Sequence, residues 1–180
     1  MAAPDLDELI SILPPPANPV GAIGDWTAVE ADLGLRLAED YKQFISQYGA
    51  GTISGMIVVG NPFVQPVSPR KFWENWVDIY RDIAAYGTKV PFDLYPTCPG
   101  LLPCGDYADL NIINWLTGKD TDESKLVYYS RSEGFFDLGR ITLTRFIVQL
   151  LTGSTALPSR VVTNVLLKKP RQFTPGAVFA

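Results

Sequence analysis

Residues Trp26–Gly60, WTAVEADLGLRLAEDYKQFISQYGAGTISGMIVVG, decide the fold. Trp26, Val29 and Leu33 recur at i, i+3 and i+7, the spacing of one helical face, and Gly34 supplies a left-handed stop. Tyr41, Phe44, Ile45 and Tyr48 repeat at i, i+3, i+4 and i+7, an aromatic stripe closed by Gly49. Thr52 to Val59 then reads as one β-branched strand bounded by glycines. Two short amphipathic helices therefore lead directly into a strand.

Working outward, a short helix is predicted over residues 5–12, with Leu6, Leu9, Ile10 and Leu13 on one face and Pro14-Pro15-Pro16 stopping it. Residues 14–22 read as a stiff connector, because so short a helix cannot stand alone and must dock on the main body. A longer helix runs from about Pro69 to Tyr86. Phe72, Trp76, Ile79, Tyr80 and Ile83 face one way, and Trp73 and Val77 widen the arc. After a proline-rich loop, LLPCGDYADLNIINWLTG reads as two strands joined by a loop. KLVYYSRSEGFFDLG follows as strand, Ser-Glu-Gly turn and strand. TLTRFIVQLLTG carries Leu143, Phe146, Ile147, Leu150 and Leu151 in a helical stripe ended by Gly153. In the tail, Val161, Val162, Val165 and Leu166 fit a short helix or a strand equally. Lys168-Lys169-Pro170-Arg171 is the only basic cluster; a nuclear or nucleic-acid role is open to it, but a solvated loop is the favoured reading.

Composition bounds the function. The chain has 180 residues, 47% hydrophobic and 19% charged, which suits one globular domain with its own core. Its net charge of −4 and pI of about 4.8 argue against a nucleic-acid surface and mildly favour basic partners. No apolar run is long enough to span a bilayer, and MAAPDLDELI is unlike a secretory signal, so a cytoplasmic location is the default expectation. There Cys98 and Cys104 are expected as free thiols, although their spacing permits a bond.

The chain contains no histidine. That removes Ser-His and Cys-His nucleophile pairs, the commonest neutral-pH base and most catalytic zinc sites. No P-loop, GxGxxG or GxSxG occurs, and the glycines at 49, 51 and 55 precede a strand instead of joining a strand to a helix. No metal and no cofactor is expected. Carboxylate and lysine chemistry survive, so an enzyme is disfavoured but stays open.

The order of these elements resembles the SUKH superfamily, the Smi/Knr-like domains of bacterial immunity proteins and fungal cell-wall regulators. Its opening resembles W-x-x-[ILV]-E-x-x-L-G-x-x-L-P-x-[DE]-[YF]-x-x-F-[LI]-x-x-Y-G. Trp26, Val29, Glu30, Leu33, Gly34, Leu37, Asp40, Tyr41, Phe44, Ile45, Tyr48 and Gly49 fall in step with it. Ala38 stands where the family usually has proline. A second block matches through Leu101, Leu102, Pro103, Gly105, Asp109, Trp115 and Thr117, with Cys104 in place of an aromatic and Ala108 where glycine is frequent. The closing helix is the third block. The resemblance implies an α+β fold, helices packed around a bent, mainly antiparallel sheet. The expected division is a short helix and connector at 1–23, the SUKH-like domain at 24–153 and a docked extension at 154–180.

For function the resemblance implies a non-catalytic protein-binding domain, an immunity protein that occludes a cognate toxin stoichiometrically. The alternatives are a regulatory scaffold for a cellular partner and a carboxylate-dependent enzyme using Asp106 and Asp109. The expected partner is a protein, not nucleic acid or membrane; the oligomeric state is left open. Candidate partner-binding residues are Asp106, Tyr107 and Asp109 in the loop between two strands, with Glu30, Asp32 and Glu39 as an acidic rim. Asp106 and Asp109 could equally satisfy turn amides, Glu30 could be a solvated helix charge, and Asp40 could support its helix start through the dipole.

Overall fold

The computed structural model describes residues 4–108, 111–118, 125–159, 161 and 164–176. In chain order it forms α1 (Pro4–Ile12), α2 (Trp26–Leu33), α3 (Glu39–Tyr48), β1 (Gly51–Ile53), β2 (Ile57–Val59), α4 (Pro69–Ala85), β3 (Leu101–Tyr107), β4 (Asn111–Leu116), β5 (Lys125–Ser130), β6 (Gly134–Gly139), α5 (Leu143–Thr152), α6 (Asn164–Lys168) and β7 (Phe173–Pro175). The strands make one sheet in the order β6-β5-β4-β3-β2-β1-β7, every neighbouring pair antiparallel. This is the α+β arrangement expected.

Local chemistry sets the helix ends. Asp25 accepts the Ala28 N–H at the start of α2, and Gly34 ends it at φ 72° with its N–H on the Glu30 carbonyl. Ser68 and Thr142 cap α4 and α5 in the same way, with Pro69 opening α4. Ala38, in the family's proline position, has φ −60° and ψ 137°, the backbone that proline presets, but it gives α3 no side-chain cap. Gly49 is obligatory for a different reason. Its φ is 66°, and a Cβ there would stand 2.3 Å from the Val20 carbonyl oxygen, where the connector crosses the end of α3.

The single strand expected over Thr52–Val59 is two. β1 and β2 form a hairpin in which Met56 donates its N–H to the Ile53 carbonyl, and Ser54 and Gly55 both have positive φ, 53° and 64°. That is the signature of the mirror-image turn that suits the twist of a hairpin. The tail supplies both of its open alternatives in turn, a helix at Asn164–Lys168 and a strand at Phe173–Pro175; Val162 lies outside the described residues. β7 closes the β1 edge, and Phe173 packs on Tyr48 with ring centroids 5.3 Å apart.

The core lies on both faces of the sheet. The larger part joins α1, α2, α3 and α5 to Leu102, Cys104, Tyr107, Ile113, Trp115, Leu126 and Tyr128. The smaller gathers Leu101, Ile112, Val127 and Tyr129 beneath Tyr80 of α4. α4 serves both, and its buried centre is Phe72, Trp73, Val77 and Tyr80, while Trp76, Ile79 and Ile83 are half-buried. Trp73 and Val77 are thus the middle of the buried face, not its margin. Buried tyrosines tie layers together: Tyr41 donates to the Gly60 carbonyl and Tyr48 to the Leu13 carbonyl, each at 2.6 Å. At the N-terminus, Arg145 of α5 pairs with Asp5 and Glu8 of α1, both at 2.8 Å. Cys98 and Cys104 are free thiols, and Cys104 is buried with its Sγ–H on the Ile113 carbonyl.

Candidate functional site

Residues directly opposite one another in a sheet project to the same side. The pairings Thr174–Thr52, Thr52–Val58, Val58–Asp106, Asp106–Ile112, Ile112–Tyr129 and Tyr129–Phe135 therefore draw one row across all seven strands. α4 covers only part of this face. Tyr80 reaches down to Asn114, and Trp73 donates its indole N–H to the Pro103 carbonyl at 3.0 Å. The last turn of α4 then overhangs the sheet, leaving Ile83 half-buried and Tyr86 91% exposed. An aromatic side chain so far into solvent, next to an apolar groove, is the unusual feature of this surface.

The groove beneath Tyr86 has a volume of about 530 Å³, with Ile79, Ile83 and Tyr129 as floor and Asp82, Thr88 and Arg131 on its walls.

 A separate groove of about 590 Å³ lies on the outer face of α3, lined by Trp26, Glu39, Lys42, Gln43, Ser46 and Gln47. Rigid contacts hold the Tyr86 groove in shape. Asn111 accepts the Arg131 N–H at 3.1 Å and donates to the Tyr107 carbonyl at 3.0 Å, tying the β5–β6 turn to the end of β3. Phe135 packs on Tyr129, ring centroids 4.8 Å apart. Burial raises the Tyr129 phenol above its ordinary value, and the Arg131 guanidinium opposes that rise.

Asp106 belongs to this face. It is half-buried, one strand from Ile112 and two from Tyr129, about 10 Å across the sheet. Asp106 and Tyr107 are the last residues of β3, not the loop expected, because β2 and β4 pair with them from both sides. Tyr107 faces the opposite way and is 1% exposed in the main core. Asp109 lies outside the described residues.

The acidic rim is mostly a set of joints. Glu30 accepts the Leu37 N–H at 2.8 Å and pairs with Lys42 at 2.6 Å, locking α2 to α3. Burial pushes its pKa up, but Lys42 and the Leu37 amide outweigh that and hold it below the usual value. Asp32 accepts the Arg70 N–H at 2.8 Å in the first turn of α4. Glu39 is the exposed one, its carboxylate 3.8 Å from Lys42. Asp40 reaches past its own helix to accept the Thr144 N–H at the start of α5, 3.2 Å away, and burial raises its pKa despite such bonds. The α2–α3 connection lies beside Leu102, Trp115 and Thr117, at the opposite end of β3 from Asp106. The two groups of candidates are therefore not brought together.

Tyr86, Tyr129 and Arg131 were not among the sequence candidates. The one local signal is Tyr86 itself, an aromatic residue next to Gly87 at the end of a helix whose buried positions are already filled. Among the described residues no cluster of three metal-ligating side chains occurs, and no helix is long and apolar enough to cross a membrane. What this surface offers chemically is a partner contact: aromatic rings, a guanidinium and aliphatic floor, with carboxylates at its margin.

A family model described as SMI1-KNR4 cell-wall, one of the SUKH models, matches residues 23–147. No curated protein and no solved structure matches the chain.

Proposed function

The chain belongs to the SMI1-KNR4 family of the SUKH superfamily, and on that premise we propose that it is a non-catalytic, cytoplasmic protein-binding domain that neutralises a cognate toxin by covering it. The observation that carries this reading is the groove under Tyr86, where Tyr129, Ile83 and Arg131 stand beside an aromatic ring 91% exposed. Tyr and Arg over an apolar floor are the residue types that dominate binding energy in protein interfaces.

In this reading Tyr86 and Arg131 anchor the partner, Asp106 contributes charge on the same face of the sheet, and Asp109 adds a further negative charge to the partner contact. Glu39 is a peripheral contact on the other groove, while Tyr107, Glu30 and Asp32 serve the fold. Residues 24–153 form the binding domain, with the segments before and after it docked on that body. The mechanism is occlusion: affinity comes from burying the groove, and no bond is made or broken.

Co-expression with the C-terminal domain of a polymorphic toxin encoded beside this chain tests the proposal. Restored growth and a stable stoichiometric complex support it. Absence of rescue and of any complex with encoded neighbours would overturn immunity in favour of a regulatory scaffold.

A further inference from the structure

Residues 164–176, NVLLKKPRQFTPG, carry three cations and no acid in a chain whose net charge is −4. Lys168, Lys169 and Arg171 are all exposed. Among the described residues no side chain of the three takes part in a hydrogen bond or ion pair, whereas those of Lys42, Arg70, Arg81, Lys125 and Arg145 are paired.

The strip is held at both ends. Before it, Leu166 is 2% exposed in the core; after it, the Gln172 carbonyl accepts the Ser54 N–H at 2.8 Å, and Phe173 packs on Tyr48. The Lys169 ammonium stands 3.9 Å from where a Cβ on Gly55 would lie, beside the tip of the β1–β2 hairpin. Three cations on a pinned backbone lose less freedom on binding than three on a loose tail.

We infer that this strip is a second interaction surface, independent of the Tyr86 groove, that takes a short carboxylate-rich segment of a protein partner. Four residues span about 13 Å at most, enough to meet two or three carboxylates. The acidic remainder of the chain repels a long polyanion, so nucleic acid and anionic membrane fit this surface less well than a short acidic peptide.

The test is titration of the full chain with a fluorescent hexaglutamate peptide, alongside a single-stranded oligonucleotide and phosphatidylserine vesicles. Saturable peptide binding that weakens as salt rises is expected. Replacing all three cations (Lys168→Gln, Lys169→Gln, Arg171→Gln) should weaken it about tenfold or more at unchanged melting temperature, while Lys168→Arg with Lys169→Arg retains it. Absent peptide binding at low salt, undiminished binding by the triple variant, or tighter binding of the oligonucleotide or vesicles would each overturn the inference. Because the strip lies on a different edge from the groove, toxin rescue by the triple variant leaves the proposed function standing whichever way the peptide result falls.

Discussion

The hydroxyl of Tyr80 donates to Oδ1 of Asn114 at 2.8 Å, and both residues are fully buried between α4 and the sheet. Asn114 spends its amide N–H groups on the Ile112 and Val127 carbonyls, so Tyr80 is the described partner of its oxygen. This bond fixes the roll of α4 and with it the position of Tyr86.

Tyr80→Phe strands the Asn114 oxygen in the core. The expected cost is about 1–3 kcal/mol, read by urea denaturation. Hydrogen exchange should rise in α4 more than in α5. Equal exchange in both helices would mean that the bond does not hold α4.

Asp40 and Glu30 give pH dependences of opposite sign. Asp40 has a raised pKa, so its contribution is fully present below the unfolded value and is lost as pH rises through the folded one; Asp40→Asn should therefore look best against wild type at neutral pH and lose ground on acidification. Glu30 has a lowered pKa, so its contribution is present above the unfolded value and is lost as pH falls; Glu30→Gln should be worst at neutral pH and approach wild type in acid. With no histidine in the chain, little else titrates just above the carboxylate range to obscure these trends. Melting temperatures across the acid limb check both, and parallel profiles would contradict the assignment.

Two departures from the family pattern should be reversible at a gain. Ala38 already has φ −60°, and among the described residues its N–H takes no hydrogen bond, so Ala38→Pro should stabilise by about 0.4–1 kcal/mol. Ala108 is held at φ 40°, a region costly for a residue with a Cβ, and Ala108→Gly should gain up to about 1 kcal/mol. Chemical denaturation measures both; a loss for Ala38→Pro would mean that the α2–α3 connection needs that N–H.

What was legible in the sequence follows the range of the interactions. The helices of Trp26–Tyr48 are written locally, in periodic apolar residues and their capping glycines. The hairpin inside Thr52–Val59 was hidden because Ser54, not glycine, takes the first left-handed position and apolar residues continue on both sides. Asp106 and Tyr107 look like loop residues in isolation, and only the pairing with β2 and β4 makes them strand. The same holds for β7, which exists by pairing with β1 more than a hundred positions earlier. The groove is assembled from the end of α4 and the β5–β6 turn, so no single stretch of sequence contains it.

The most direct measurement is the affinity of a toxin domain that the co-expression experiment identifies as the partner for wild type, for Tyr86→Ala with Arg131→Ala, and for Glu39→Ala, each confirmed folded by its melting temperature. Loss of two interface anchors should cost about 2 kcal/mol or more, roughly 30-fold in Kd, while Glu39→Ala stays near wild type. A folded double variant that binds as tightly as wild type would contradict the placement of the partner on the Tyr86 groove.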